Sequence, residues 1–344
     1  MTIWLRFTTL LVAGLPTLQE TSLTQRQSPR RRQPHTLMHS LALSLLLAGG
    51  HAPAATTAHA PPTGPVAAGV WAFSVTAPNG AHSTLMGSMH VADRHLRQPA
   101  PQLIRDARVV VLEHPGLGTG TVASTPWRKA VSPADIDALR LHLSCKLPFP
   151  AQTLVNNVVE TLLAQSTPVA ATQLAYDGCD SVGYEPRDVI IQQAQVRYRI
   201  PLSYLETDEA VVGLEKRMPS DISGRGVHFA LSNDAAILKA DTVDALNNGD
   251  YAKVDAVSEK AFAAIGLEYG PVYDLMVRQR NENWMQTLPP LFDMGGAFVL
   301  VGAGHLPGKH GLIALLKTRG YILQPVQLQA GQGTTAETYH IGID

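Results

Sequence analysis

One arrangement occurs twice in this chain and limits the folds open to it: an apolar strand-like run, a glycine, two further residues and a histidine. The first copy is LMGSMHV, with Gly87 and His90, and the second is VLVGAGHL, with Gly302 and His305. A glycine at the end of a strand lets the backbone turn sharply, and the imidazole can then point back over the sheet edge. Ligands of α/β proteins bind outside the carboxyl ends of strands. The repeat therefore predicts a sheet with both histidines at one edge.

Two glutamates also follow apolar strand-like runs. Glu113 ends the run RVVVLE, and Glu206 follows the run PLSYL. Each has a simpler explanation, since Glu113 fits an exposed charge at a strand end and Glu206 fits an acid favoured by a helix dipole. A single GxxH histidine is more often a loop residue bonded to the backbone. Two such motifs, with an acid ending the strand between them, favour a functional site.

The other histidines are weaker candidates. His114 follows Glu113 directly, and adjacent strand residues face opposite ways, so only one of the two can point into the site. Four histidines follow no strand and are predicted to be surface or packing residues: His82, His95, His228 and His310.

The remaining pattern is that of an α/β protein. The run WAFSVTAPNGAHSTLMG predicts a hairpin, because Asn79 and Gly80 tolerate the positive φ of a tight turn. A short helix is predicted for APQLIRDA, ahead of the buried strand ARVVVLEHPG. From about Ser132 to Leu291 the pattern is mostly helical, with Ser132 as an N-cap and Pro186 at a helix start. We therefore predict a mixed central sheet flanked by helices, with a largely helical middle region.

The first 60 residues have the pattern of a secretory signal. A basic run, Arg30 to Arg32, is followed by LALSLLLAGG and by the small-residue stretches HAPAA and TAHA. The apolar run is too short to span a membrane, which takes about 20 residues. Translation starting at Met1 or at Met38 fits this pattern. We predict a signal peptide with a preceding segment over 1–60, a flexible linker over 61–69 and one domain over 70–344, in a periplasmic or secreted protein.

Charge and cysteine content narrow the function further. Residues 61–344 carry 22 Lys and Arg against 27 Asp and Glu, a net charge of −5, without a basic run that would neutralise phosphates. Nucleic-acid binding is therefore disfavoured. Both cysteines, Cys145 and Cys179, lie in the exported part, where an oxidising compartment favours a disulfide between them. Two buried free thiols are the alternative.

Two imidazoles and a carboxylate in one pocket suit two kinds of chemistry. One is divalent metal binding with positions open for water, since a metal lowers the pKa of its bound water. The other is metal-free general acid and base catalysis on water. The sequence contains no HExxH, cysteine zinc cluster, GxSxG or phosphate loop. The metal interpretation therefore depends on whether the side chains converge.

At these residues the chain resembles the TraB/GumN family, to which the Tiki proteases belong. The segments that carry the resemblance are LMGSMHV, VVVLEH, GYEPRDVIIQQAQVRYRIPLSYLET, RNENW and FVLVGAGHLPGKHGLIALLKTRGYILQPV, covering residues from about 70 to 328. Many members have an aspartate after the glycine of the helical region, where this chain has Glu185. The family pattern of paired GxxH motifs, an acid after the following strand, and an arginine and asparagine ahead of the last motif matches Gly87, His90, Glu113, Gly302, His305, Arg280 and Asn281.

The resemblance implies a fold similar to that of erythromycin esterase and the haem-binding ChaN proteins. The Tiki branch implies metal-dependent peptide cleavage with manganese or cobalt, and zinc is also compatible. Two classes of function follow. The first is an exported metal-dependent hydrolase acting on a peptide or other small substrate, in which His90 and His305 hold the ion and Glu113 completes the site or acts as base. The second is a protein that sequesters a peptide, pheromone or haem in the same cleft without turnover.

Overall fold

A mixed sheet of six strands lies at the centre of the structure. The computed structural model describes residues 69–115, 131–144, 175–219 and 221–333, with scattered positions between 153 and 173. Two further short strands pair with each other. The strands of the described part are β1 (Val70–Thr76), β2 (His82–Ser88), β3 (Gln98–Pro99), β4 (Val109–Leu112), β5 (Leu202–Tyr204), β6 (Ala297–Gly302), β7 (Ile322–Leu328) and β8 (Ala330–Gly331).

Helices pack on both faces of this sheet, so the predicted α/β class is confirmed. The helices of the described part are α1 (Pro133–Ser144), α2 (Arg187–Tyr198), α3 (Asp208–Glu215), α4 (Ile222–Ala230), α5 (Asn233–Asn248), α6 (Tyr251–Ala264), α7 (Tyr269–Tyr273), α8 (Gln279–Trp284), α9 (Leu288–Asp293) and α10 (Leu312–Thr318). A π-helical turn, Asp274–Arg278, joins α7 to α8. Within the described ranges, none of these helices has the length and apolar character needed to cross a membrane.

The strand order places the predicted site at one edge of the sheet. The order is β5-β4-β6-β2-β1-β7, and β5, β4, β6 and β2 run parallel to one another. Their carboxyl ends therefore lie side by side, which brings together the residues that follow them. In this register Ser88 pairs with Gly302, so Gly87 pairs with Val301. The two GxxH motifs are thus offset by one residue.

The apolar residues divide between the two faces of the sheet because strand side chains alternate. Leu85, Val299 and Val301 belong to the larger core cluster, which includes Trp284 and Phe292 from the helices. On the opposite face, Met86 and Leu300 pack with Ile191 and Ala194 of α2. A one-residue offset between the strands therefore puts the two motif glycines on opposite faces.

Local predictions agree with the structure in most places. The hairpin joins β1 to β2, and Gly80 has a φ of 86° in its turn. Ser132 caps α1, since its Oγ accepts the N–H of Asp135 at 3.1 Å. The helix predicted over APQLIRDA is wrong in extent: the structure has one 3-10 turn, Pro101–Ile104, in which Ile104 is the buried residue. With one buried side chain, this segment has too small an apolar face to stabilise a longer helix by packing.

Several predictions fall outside the described residues. The signal peptide and linker, residues 1–69, precede the described part apart from its first residue, Gly69. Cys145 is also outside it, so the disulfide with Cys179 stays a prediction. Cys179 begins a 3-10 turn, and its Sγ lies 3.7 Å from the carbonyl oxygen of His142.

Candidate active site at the carboxyl edge of the sheet

The predicted histidines and Glu113 meet at the carboxyl ends of β2, β4 and β6. Glu113 Oε1 lies 3.7 Å from Nε2 of His90 and 3.9 Å from Nε2 of His305. Glu113 and His305 are buried, whereas the side chain of His90 is 40% exposed. The site therefore opens to solvent on the side of His90.

Gly302 leaves the space between these side chains empty. A Cβ atom at this position would lie 3.0 Å from Nε2 of His90 and 3.1 Å from Oε1 of Glu113. It would also lie 3.5 Å from the ring of His305. The φ of Gly302 is −52°, which other residues adopt without strain. Glycine is needed here because a side chain would fill the site, which differs from the predicted backbone turn.

Gly87 has a different role from that of Gly302. It lies inside β2, and a Cβ there would come within 2.5 Å of the ring of Tyr251 and 3.1 Å of Leu306. Both residues belong to the larger core cluster, together with Leu85 and Val301. The repeated motif therefore uses its two glycines differently, because the strands are offset by one residue.

Arg280 joins the acidic residues of the site. Its Nη2 donates to Glu113 Oε2 at 2.6 Å and also to Glu206, while its Nε donates to Glu206 at 3.0 Å. Its Nη1 lies 3.0 Å from Nε2 of His305. The guanidinium stacks over Trp284, whose Nε1 donates to Glu206 at 3.2 Å. Glu206 thus reaches the site through Arg280.

Asn281 determines the tautomer of His305. The Asn281 amide nitrogen donates to the carbonyls of His305 and His310, so its oxygen is left as an acceptor. That oxygen lies 2.7 Å from Nδ1 of His305, which therefore carries the proton. Nε2 of His305 keeps its lone pair, facing Arg280 and Glu113. The indole of Trp284 packs against this imidazole at 4.3 Å between ring centroids.

Asp188 was not among the candidate residues predicted from the sequence, nor were Ser88 and Trp284, which also contact the site. Oδ2 of Asp188 accepts the hydroxyl proton of Ser88 at 2.5 Å and lies 3.2 Å from Nδ1 of His90. Asp188 is in the first turn of α2, where an acid is expected from the helix dipole alone. The acid expected from the family pattern, Glu185, bonds through its backbone to Gln98 and Gly333. One feature of the sequence could have indicated Asp188: it follows Pro186 and Arg187 in the first turn of a predicted helix.

Burial and neighbouring charges shift the pKa values of His305, Glu113 and His90. Burial, together with the charges of Arg280 and His90, lowers the pKa of His305 to about 3. Burial favours neutral Glu113, but Arg280, the two histidines and the Gly302 N–H lower its pKa far below the ordinary value. Burial also disfavours charge on His90, but Asp188 outweighs it and raises the pKa to about 9. The ground state therefore contains a neutral His305 beside an ionised Glu113.

Two imidazole nitrogens and one carboxylate oxygen are suitable ligands for a divalent ion. Their separations are slightly larger than those of a metal site. Bond lengths of 2.0–2.2 Å place the donors of a tetrahedral site about 3.3–3.6 Å apart. The separations of 3.7 and 3.9 Å exceed this by a few tenths of an ångström, and no group of three or more His, Cys, Asp or Glu among the described residues is placed to hold a metal as it stands. To bind an ion, Glu113 Oε1 would have to approach each Nε2 by a few tenths of an ångström, and Arg280 would have to release His305 Nε2. His90, whose pKa is about 9, would also have to lose its Nε2 proton. Both histidines use Nδ1 in a second contact, as metal-binding histidines do.

The other histidines of the described ranges lie outside this cluster. His114 pairs with Asp208 at 3.4 Å, in agreement with the predicted opposite orientation. His228 pairs with Asp135 at 2.8 Å and is exposed, and His82 contacts Thr76.

The family relationship agrees with this geometry. The sequence model of the TraB/PrgY/gumN family matches residues 71–325, well over half of the chain, and includes every side chain of the cluster. Neither a curated protein nor a solved structure matches the chain. The predicted likeness to erythromycin esterase and ChaN therefore stays a prediction. With that match, and with paired GxxH motifs meeting at one sheet edge, the chain belongs to the TraB/PrgY/gumN family.

Proposed function

We propose that this protein is an exported, metal-dependent hydrolase that cleaves peptides. One observation carries the proposal: two imidazole Nε2 atoms lie within 4 Å of one carboxylate oxygen, around the position that the missing side chain of Gly302 leaves open. The peptide substrate is supported by the resemblance to the Tiki proteases. Export, to the periplasm or the medium, is supported by the signal pattern in the first 60 residues.

His90, Glu113 and His305 would hold the ion. A divalent ion there would polarise a substrate carbonyl and acidify water. His305 presents a lone pair on Nε2 because its Nδ1–H donates a hydrogen bond to Asn281. Arg280 keeps Glu113 ionised, which suits a metal ligand better than a general base, because a carboxylate with a strongly lowered pKa holds a proton weakly. Manganese, cobalt and zinc all fit a donor set of two nitrogens and one oxygen.

A cleft beside the cluster gives a substrate room to bind. It has a volume of about 460 Å³ and lies at the carboxyl end of β5. Its lining comprises Pro115, Tyr204, Leu205, Glu206, Thr207, Asp208 and Glu209. Glu206 links the cleft to the cluster, because it lines the cleft and bonds to Arg280, whereas His90, Glu113 and His305 are not among the lining residues of the cleft.

Metal uptake tests the proposal directly. Protein stripped with chelator is titrated separately with Mn²⁺, Co²⁺ and Zn²⁺, and stoichiometric uptake of one of them is expected. His90→Ala and His305→Ala should each abolish that uptake, whereas His228→Ala, which removes an exposed imidazole elsewhere, should not. Uptake that persists in both site variants would refute the metal assignment.

Turnover separates the two classes of function. A peptide library incubated with the metal-loaded protein should be cleaved, and EDTA should stop cleavage. Glu113→Gln distinguishes two roles of Glu113. If Glu113 is a ligand, the variant should bind the ion more weakly, and if it is the base, the variant should keep the ion but lose turnover. Cleavage that resists EDTA would point to metal-free acid and base catalysis. Tight peptide, pheromone or haem binding without turnover would point to a sequestering protein.

A further inference from the structure

Two consecutive residues at the start of α2 hold the first GxxH segment in place. The guanidinium of Arg187, which is fully buried, donates to the carbonyl of Gly87 at 2.7 Å and to that of Arg97 at 2.8 Å. The neighbouring carboxylate of Asp188 accepts from Ser88 and from His90. The start of α2 therefore binds the backbone of the segment and the side chains of Ser88 and His90 by hydrogen bonds.

His90 depends on this attachment more than His305 depends on its own. His305 is buried and packs against Trp284, so its ring is restrained by close contacts as well as by Asn281. The side chain of His90 is 40% exposed. Among the described residues, the polar partners of its ring are Asp188 on Nδ1 and Glu113 facing Nε2. An exposed imidazole with free rotation would spend little time with Nε2 directed at Glu113.

We infer that Asp188 is the positioning residue for His90: its carboxylate accepts a hydrogen bond from Nδ1–H and thereby directs Nε2 at Glu113 and the space over Gly302. Ser88 supports this role by donating to the same carboxylate oxygen, which fixes the carboxylate. Arg187 fixes the strand end from which His90 projects. Asp188 thus does for the first motif what Asn281 does for the second, with a carboxylate in place of an amide. The inference deepens the proposed function, since it rests on Nε2 of His90 being the reactive nitrogen.

Nuclear magnetic resonance of the metal-free protein tests the contact itself. A hydrogen-bonded Nδ1–H of His90 exchanges slowly and should give a ¹H–¹⁵N signal in the wild type. The signal should vanish in Asp188→Ala and persist in Asp135→Ala, which removes a carboxylate from a different histidine pair. Persistence in Asp188→Ala would overturn the inference. In Asp188→Asn, which keeps the side-chain shape, the signal should move upfield because the acceptor is neutral, and an unmoved signal would also overturn it.

Metal titration tests the consequence. With Mn²⁺, Co²⁺ and Zn²⁺ tried in turn, Asp188→Ala should bind about 10–100-fold more weakly than wild type, as expected for loss of a second contact on a ligating histidine. Asp188→Asn should recover most of that loss. Equal affinity in wild type and Asp188→Ala would overturn the positioning role. A wild type that takes up none of the three ions refutes the proposed function instead, and the resonance experiment then decides the positioning role alone.

Discussion

The amide oxygen of Asn281 lies 2.7 Å from Nδ1 of His305, and this contact determines which ring nitrogen faces the site. Asn281 has no exposed surface and uses its nitrogen to hold two backbone carbonyls, so its orientation is fixed. Because His305 must then donate from Nδ1, its Nε2 is left with a lone pair. A buried neutral imidazole of this kind suits a metal ligand or a base.

Asn281→Ala should therefore weaken both stability and metal binding. Two backbone carbonyls lose a donor, which we expect to lower the free energy of unfolding by about 1–3 kcal/mol. Loss of the Nδ1 contact, which orients the His305 ring, should weaken metal binding about 10–100-fold. Urea denaturation and metal titration measure the two effects. The control is Asn248→Ala, an exposed side chain bonded to Asp244, and an effect no larger than in the control would contradict the assigned role.

Gly302→Ala should block the site without unfolding the protein. The added methyl group would press on His90 and Glu113, and His90 can swing into solvent because it is partly exposed. Metal binding and any turnover should be lost, with little change in circular dichroism. Gly304→Ala, two residues later, is the control because a Cβ there meets nothing within 4 Å. Wild-type metal affinity in Gly302→Ala would place the functional site elsewhere.

Arg280→Met should destabilise the fold strongly. The guanidinium compensates two buried carboxylates, Glu113 and Glu206, and removing one partner of a buried ion pair typically costs about 3–5 kcal/mol. Chemical denaturation measures the loss. Arg278→Met removes a neighbouring arginine whose partners, Asp274 and Glu282, have side chains that are 41% and 47% exposed, so its effect should be much smaller. Similar losses in the two variants would mean that solvent already compensates the buried carboxylates.

The stability of the metal-free protein should fall in acid through His305. Burial lowers the pKa of His305 from 6.5 to about 3, so between these values the unfolded chain binds a proton that the folded chain does not. The free energy of unfolding should therefore decrease as the pH falls below about 6.5. His305→Gln should reduce the slope by up to about 1.4 kcal/mol per pH unit. Urea denaturation between pH 6.5 and 4.5 in chelator-treated buffer measures it, and an unchanged slope would show that His305 titrates normally.

Much of the fold was predictable because its signals are local. A turn at Asn79 and Gly80, a cap at Ser132 and the buried strand in ARVVVLEHPG depend on neighbouring residues, and the structure confirms each of them. The family and the α/β class were likewise readable from motifs. The site was partly predictable, since residues that follow parallel strands reach the same sheet edge.

The sequence by itself predicted that His90, Glu113 and His305 could meet, because each follows an apolar strand-like run. Only the tertiary structure decided how they are held. The one-residue offset between β2 and β6 gives the two motif glycines separate roles, and Asp188 reaches His90 across 98 positions of chain. Strand register and helix packing arise from contacts between distant segments, and the local pattern around each residue carries no information about its partner.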